Sequence, residues 1–216
     1  MAMRSLRTRV KVCGLCSAAD ARSAVRAGAD ALGVILVPES RRHVTPDEAA
    51  AIYADVPPFV ARLGVFVDAP ADEVADVARR LHLSAVQLHG SESPEYCASM
   101  PVPVVKVFRV GKGFDPSSME PYRGVVAGAL LDTLVDGIHG GTGRAFAWED
   151  LSPLPAIAPL IVAGGLRPTN VGVAIRALRP FAVDVSSGVE ERPRHKDSYR
   201  LAAFVSAVGA ADEIEE

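Results

Sequence analysis

The stretch Val10-Lys11-Val12-Cys13-Gly14 is typical of a short β-strand that ends in a thiol. The side chains of a strand alternate between its two faces, so Lys11 and Cys13 are expected on the same side. Gly14 then interrupts the strand and lets the chain turn away. An α/β barrel carries its chemistry at the carboxyl ends of its strands, and this cysteine is therefore a candidate functional residue.

The 216 residues alternate between segments typical of strands and segments typical of helices. The predicted strands are residues 9–13, 31–37, 62–67, 85–88, 104–108, 124–131, 160–163 and 181–185, and the predicted helices are residues 17–28, 45–54, 70–81, 93–98, 116–121, 148–151, 168–178 and 196–208. Eight such units predict a closed (β/α)8 TIM barrel of eight parallel strands. The alternative is an open doubly wound sheet, which usually has fewer strands and a G-x-G-x-x-G turn after the first one.

Residues 9–208 account for this barrel as a single domain, with an N-terminal extension at residues 1–8. Residues 209–216 form an acidic C-terminal tail that we expect to fray. The hydrophobic content of 49% and the charged content of 23% are those of a chain that buries a normal core.

Composition argues against several classes of function. The net charge of -3 gives no sign of a nucleic-acid or membrane-surface partner, and no apolar run approaches the ~18 residues of a membrane helix. The first residues lack the apolar core of a secretory signal. The three cysteines are an odd number and do not resemble a disulfide framework. A soluble cytoplasmic protein is therefore the expectation. Composition and charge do not decide between a monomer and a homodimer.

Two loops of small residues follow the last two predicted strands. They are Gly164-Gly165 and Ser186-Ser187-Gly188. Barrels commonly bind phosphate at this place with backbone N–H groups and a helix N-terminus. Each loop alone is equally typical of a tight turn, but the two together favour a phosphate site.

Two residues at strand ends are candidates for proton transfer. Asp132 ends an apolar strand, where a carboxyl group can keep its proton near neutral pH and act as a general acid. Cys13 has Lys11 on its own face, which would favour the thiolate. The alternatives are that Asp132 is a helix cap or ion-pair partner and that Cys13 is a small core residue. Two more charged residues inside predicted strands, Lys106 and Asp184, are expected to pair with each other or with Lys11.

The remaining polar residues at strand ends allow more than one role. His89 is a structural or substrate-orienting residue. Arg42 lies on the loop after the second strand, where an arginine is either solvated or clamps a carboxylate. Cys13 and Cys16 have the spacing of a metal or redox pair, but the second ligand pair of a zinc site and the context of a thioredoxin-like motif are both missing. Cys97 is expected in the core.

Eight motifs in order resemble those of the phosphoribosylanthranilate isomerase family. They are Lys11-Val12-Cys13-Gly14, Gly28-Ala29-Asp30-Ala31-Leu32-Gly33, Val65-Phe66-Val67, Val86-Gln87-Leu88-His89-Gly90, Leu131-Asp132, Gly140-Gly141-Thr142-Gly143, Ala163-Gly164-Gly165-Leu166 and Val183-Asp184-Val185-Ser186-Ser187-Gly188-Val189-Glu190. The resemblance covers about residues 9–208. It implies a cofactor-free, metal-free (β/α)8 barrel of the tryptophan pathway.

The resemblance also implies a reaction and a set of roles. The reaction is the Amadori rearrangement of N-(5-phosphoribosyl)anthranilate to 1-(2-carboxyphenylamino)-1-deoxyribulose 5-phosphate. Asp132 matches the family's general acid and Cys13 its general base. Arg42 matches the arginine that binds the anthranilate carboxylate, and the two small-residue loops match the phosphate site.

The sequence departs from the family in three places. Arg41 stands where the loop after the second strand usually has a proline, so either Arg41 or Arg42 is the substrate arginine. Cys16 replaces a small hydroxyl residue, and Asp136 and His139 have no assigned role.

Three other functions stay open at this point. They are a barrel that binds a sugar phosphate without turning it over, an isomerase of a related amino sugar in a secondary pathway, and a thiol redox protein that uses Cys13 and Cys16.

Overall fold

The strands form one closed parallel barrel in the computed structural model, which describes residues 7–111, 113–132 and 153–213. Each strand pairs with the next in the chain, and β8 pairs back with β1. The strands are β1 (Arg9–Cys13), β2 (Ala31–Ile35), β3 (Ala61–Phe66), β4 (Ala85–Leu88), β5 (Val104–Arg109), β6 (Gly128–Asp132), β7 (Leu160–Ala163) and β8 (Ala182–Val185). The predicted (β/α)8 architecture is confirmed.

Helices follow the strands and cover the barrel. They are α1 (Ala18–Ala27), α2 (Pro46–Tyr53), α3 (Ala71–Arg80), α4 (Pro94–Ala98), α5 (Val171–Leu178) and α6 (Ser198–Glu213), with 3₁₀ helices at Pro116–Tyr122 and Ser187–Val189. None of the helices within the described ranges is long and apolar enough to cross a membrane. The loop at residues 140–143 and the helical turn predicted at 148–151 lie outside the described residues.

The ends of the first two helices are fixed by local sequence. The Ser17 hydroxyl accepts from the backbone N–H of Asp20, and Gly28 ends α1 in the left-handed region at φ 100°. Thr45 and Glu48 form the capping box that starts α2. These caps define where α1 begins and ends and where α2 begins, whereas the parallel pairing of the strands places their carboxyl ends at the same mouth.

Strand β6 begins four residues later than the sequence suggests. The chain makes a turn first, in which the N–H groups of Val125 and Val126 both donate to the carbonyl of Tyr122. Gly124 adopts φ 76° in this turn, a conformation that no strand contains. The apolar run therefore includes a turn that apolarity alone does not reveal.

The expectation of a frayed tail is wrong as far as Glu213. Helix α6 continues through residue 213, and Ala211 is buried. The Asp212 carboxylate accepts from the backbone N–H of Thr8 at 2.8 Å and from its hydroxyl at 2.7 Å. The end of the chain is thus fastened to the segment that leads into β1.

Two apolar layers hold the barrel. Side chains on the outer strand faces pack against the helices, whereas a smaller set fills the interior: Leu63, Val105, Val107, Leu130, Ile161, Ala163 and Ala182. After β8 the chain adds an element that the sequence did not predict. It is a short antiparallel ribbon of β9 (Glu190–Arg192) and β10 (His195–Lys196) at the carboxyl mouth of the barrel.

Candidate active site

Cys13 ends β1 inside the barrel with Lys11 on the same face, as the alternation predicts. Gly33, the neighbour on β2, leaves room for both. A Cβ there would lie 3.0 Å from the Cys13 sulfur and 3.3 Å from the Lys11 Nζ. Lys11 Nζ also lies 2.8 Å from the Asp184 carboxylate. The two buried charges therefore form an ion pair next to the thiol. The predicted pairing of Asp184 with Lys11 is confirmed.

Burial raises the pKa of the Cys13 thiol, and the charge and hydrogen bond of Lys11 oppose this effect only in part. The free protein thus holds a protonated thiol at neutral pH. Lys11 still lowers the free energy of the thiolate, because its ammonium lies within hydrogen-bonding range of the sulfur.

Lys106 does not join this pair. It lies on the outer face of β5, since Val105 and Val107 are the residues of that strand that fill the interior. Its Nζ lies 3.1 Å from Glu92 Oε2 and donates to the Gly90 carbonyl at 2.8 Å. The expected pairing of Lys106 with Asp184 or Lys11 is therefore wrong, because the barrel wall separates them.

Asp132 ends β6 at the same mouth, and His89 is one of its partners. The distance between His89 Nε2 and Asp132 Oδ2 is 3.3 Å, and both side chains are about one quarter exposed. Arg109 ends the strand between them and is directly opposite Asp132 in the β5–β6 register. Sequence reasoning found both His89 and Asp132 but not their contact, because their strands are not neighbours in the chain.

A cleft of about 520 Å³ opens beside this pair at the ends of β3, β4 and β5. Its walls combine aromatic rings, a carboxylate and a guanidinium: Val67, Asp68, His89, Gly90, Ser91, Lys106, Val107, Phe108, Arg109, Phe114, Ser118 and Tyr122. This side of the mouth is therefore an open, mixed polar and apolar space with room for a small organic molecule, and His89 is the candidate site residue that it shares with the Asp132 contact.

The two small-residue loops lie against each other. Gly164 and Gly165 adopt φ 92° and 64°, and a Cβ on Gly165 would meet open space. A Cβ on Gly188 would lie 1.8 Å from the carbonyl oxygen of Leu166, so only glycine fits there. The Ser186 hydroxyl is buried and forms no hydrogen bond with any described residue. The loops thus offer backbone N–H groups and a hydroxyl at the position where barrels bind phosphate.

Arg42 is held at the mouth by an acidic partner. Its Nε and Nη2 donate to the two carboxylate oxygens of Glu190 at 2.7 and 2.6 Å. The Arg41 side chain is exposed, and the Arg41 carbonyl accepts from Arg194. Arg42 is therefore ion-paired and partly buried, with 22% of its side chain exposed, whereas Arg41 faces solvent.

Glu190 is itself bound by Lys196, whose side chain is fully buried. The Lys196 Nζ donates to Glu190 Oε1 at 3.0 Å and to the carbonyls of Cys13 and Ser186 at 2.7 and 3.1 Å. The sequence analysis did not assign a role to Glu190 or to Lys196. The lysine at the start of the last predicted helix was the signal that could have indicated a buried charge pair. They join the ends of β1 and β8 to the loop after β2.

The other cysteines are not arranged as ligands. Cys97 is buried in the core, as expected. The Cys16 sulfur lies 3.5 Å from the Arg42 carbonyl and 3.7 Å from the Gly14 carbonyl. Within the described ranges no group of three or more His, Cys, Asp and Glu side chains could hold a metal ion. Asp136 and His139 lie outside those ranges.

The family model described as N-(5'phosphoribosyl)anthranilate (PRA) isomerase matches residues 10–207. The chain belongs to the phosphoribosylanthranilate isomerase family. A relative of that name from Geobacter sulfurreducens is 48% identical over 198 residues, which cover 91% of this chain and 96% of the relative. The match spans both proton-transfer candidates and both small-residue loops.

Solved structures of phosphoribosylanthranilate isomerases have the same barrel. The enzyme from Thermotoga maritima superposes with a TM-score of 0.85 at 40% identity, covering 94% of this chain and 99% of the other. A second structure contains reduced 1-(o-carboxyphenylamino)-1-deoxyribulose 5-phosphate and superposes with a TM-score of 0.81 at 38% identity over the same shares of the two chains. The resemblance drawn from the eight motifs is confirmed.

Proposed function

We propose that this chain converts N-(5-phosphoribosyl)anthranilate to 1-(2-carboxyphenylamino)-1-deoxyribulose 5-phosphate with Cys13 as general base and Asp132 as general acid. The observation that carries the proposal is that both residues end strands at one mouth of the barrel, beside two packed glycine loops. A proton acceptor, a proton donor and a phosphate site are the groups that this rearrangement requires.

The first step opens the sugar ring. Asp132 gives a proton to the ring oxygen, the bond between that oxygen and C1 breaks, and the anilino nitrogen shares its electron pair to form a Schiff base. His89 lies 3.3 Å from Asp132 and orients the carboxyl group toward the substrate.

The second step removes the proton at C2. Cys13 accepts it, the electron pair forms the C1–C2 double bond, and the Schiff base becomes a neutral enolamine. Lys11 stabilises the thiolate form that accepts the proton. The enolamine then takes a proton at C1 from Cys13 while its C2 hydroxyl gives a proton to Asp132, and it becomes the ketone. Cys13 and Asp132 thereby return to their starting protonation states, and the product has the same atoms as the substrate.

The phosphate and the aromatic carboxylate of the substrate bind at separate parts of the mouth. The Ser186 hydroxyl and the backbone of the loops at Gly164, Gly165, Ser187 and Gly188 hold the phosphate, and Arg42 binds the ring carboxylate. A relative is known with the reduced product bound, which supports a phosphorylated anthranilate ligand for this chain. Such biosynthetic chemistry, together with three free thiols, supports a cytoplasmic location. A solved relative from Thermotoga maritima is described as a dimeric enzyme from which monomers were generated, which supports a monomer or homodimer for this chain.

The test is turnover of freshly generated phosphoribosylanthranilate, followed by the loss of its fluorescence. Wild type is expected to turn over, whereas Cys13→Ala and Asp132→Asn each lose about 10²–10⁴-fold in kcat, the usual contribution of a general acid or base. Cys16→Ser is the control and is expected to retain activity, because a hydroxyl can meet the same two carbonyls.

The binding barrel and the thiol redox protein each predict a different result in this assay. A binding barrel shows no turnover in wild type although it binds the product analogue. A thiol redox protein is crippled by Cys16→Ser. Rapid turnover that needs Cys13 and Asp132 but not Cys16 contradicts both.

A further inference from the structure

The ribbon of β9 and β10 lies against the loop that carries Arg42. Its register places Lys196 opposite Glu190. In the turn between the two strands, Arg194 donates from Nη1 to the carbonyls of Arg41 at 3.2 Å and His43 at 2.9 Å. The ribbon thus binds the loop backbone on both sides of Arg42, in addition to its side chain.

The Arg42 side chain is fixed along its whole length. Its stem crosses Gly14 so closely that a Cβ there would lie 2.5 Å from Arg42 Cδ. Its guanidinium forms two parallel hydrogen bonds with Glu190, the geometry that defines both position and plane. Lys196 in turn fixes Glu190, and their side chains are 0% and 4% exposed. The guanidinium is therefore held from the buried side.

The guanidinium keeps its capacity to bind a second carboxylate. An arginine has five N–H donors, and Glu190 takes only one from Nε and one from Nη2. The edge formed by Nη1 and the other hydrogen of Nη2 is a second fork. The charges also permit it, because two cations and one anion leave this cluster with a net single positive charge.

We propose that Glu190 is a positioning residue for substrate specificity: it is anchored by Lys196 and aims the second fork of Arg42 at the carboxylate on the aromatic ring. The inference rests on the proposed function. It assigns discrimination between carboxylated and uncarboxylated anilino sugars to a buried pair that does not touch the substrate. Both residues of that pair belong to the ribbon of β9 and β10.

If Glu190 instead competed with the substrate for Arg42, its removal would have the reverse effect on affinity. If Glu190 occupied Arg42 in place of the substrate, removing its charge would free the guanidinium and tighten binding. A purely structural role would weaken all ligands alike.

The experiment compares two ligands on the full-length protein. One is reduced 1-(o-carboxyphenylamino)-1-deoxyribulose 5-phosphate and the other is the same compound without the ring carboxylate. Glu190→Gln is expected to weaken the first by about tenfold or more, as loss of a charge-assisted contact does, and the second by less than about twofold. KM is expected to rise by a similar factor with kcat within about threefold of wild type.

Two comparisons make the result specific. Glu191→Gln makes the same charge change at an exposed position of the same strand and is expected to leave both affinities unchanged. In an Arg42→Ala background, Glu190→Gln is expected to have no further effect, because its influence passes through Arg42. If Glu190→Gln does not fold, Glu190→Asp withdraws the carboxylate by one methylene and gives the same comparison of ligands.

Three results would overturn the proposal: equal weakening of both ligands, tighter binding of the carboxylated one, or an additive double variant. A wild-type protein that binds neither ligand and shows no turnover contradicts the proposed function instead.

Discussion

Gly188→Ala tests whether the packing of the two glycine loops forms the phosphate site. A Cβ at this position would lie 1.8 Å from the Leu166 carbonyl oxygen and 2.9 Å from its carbonyl carbon. Real Cβ contacts essentially never fall below 3.0 Å, so the loops must separate by about 1.2 Å, the difference between 3.0 and 1.8 Å. Both partners are backbone atoms, and no side-chain rotation relieves the contact.

The expected effect on function exceeds the effect on stability. A displacement of about 1 Å in a positioning element costs roughly 10²-fold in rate, and we expect this loss in kcat/KM. Overpacking of this kind costs about 1–3 kcal/mol of unfolding free energy, or a few degrees of Tm for a chain of this length.

The assay is steady-state turnover with inhibition by inorganic phosphate, read beside the thermal transition. Gly209→Ala is the matched control, since a Cβ there meets open space within α6 and should leave activity unchanged while adding about 0.5–1 kcal/mol of stability. Wild-type kcat/KM and phosphate inhibition in Gly188→Ala would refute the assignment of these loops.

Three further predictions concern pH and buried hydrogen bonds. Because burial raises the pKa of the Cys13 thiol, kcat/KM should rise with pH from neutral toward about 9 and plateau only above the thiol's ordinary range; a pH-rate profile flat above 7 would contradict this. Burial opposes the ionisation of Glu190, but the hydrogen bonds and charges of Arg42 and Lys196 together outweigh it and lower the pKa of this carboxyl group. The carboxylate therefore stabilises the fold above its unfolded pKa and loses that contribution as pH falls through the lower, folded value. Below about pH 4.5, the free energy of unfolding of Glu190→Gln should therefore fall less steeply with decreasing pH than that of wild type. The buried Tyr53 hydroxyl lies 2.7 and 3.1 Å from carbonyls of adjacent strands, so Tyr53→Phe should cost about 1–3 kcal/mol in denaturant melts without changing kcat.

The barrel was predictable because its signals are local. Each strand is a short apolar run, and each run is followed by a cap or a glycine, such as Ser17 and Gly28 around α1. Parallel strands in a barrel are covered on both faces, so their apolar runs are nearly continuous and easily recognised. The same property hid the turn before β6, where Tyr122 and Gly124 redirect an apolar segment.

The contacts of the site were less predictable because they depend on which face a strand residue occupies. Alternation from Cys13 placed Lys11 correctly, and it would have placed Lys106 on the outer face had the inner residues of β5 been known. The ribbon of β9 and β10 was missed for another reason. Its strands are three and two residues long and mostly charged, with no apolar alternation.

The contact between Arg42 and Glu190 joins residues 148 positions apart. Sequence spacing carries no information about such a pair, and only the closed barrel brings the loops after β2 and β8 together. The positions of the candidate residues thus follow from the sequence, whereas their partners follow from the fold.

The most direct test of the central claim is made on Cys13→Ser, with binding and turnover measured on the same preparation. The hydroxyl is nearly the size of the thiol but a much weaker base at C2. We expect the affinity for the reduced product analogue to stay within about threefold of wild type and kcat to fall at least roughly 10³-fold. Turnover within tenfold of wild type would contradict Cys13 as the base, and loss of binding in parallel with turnover would contradict its role as a purely catalytic group.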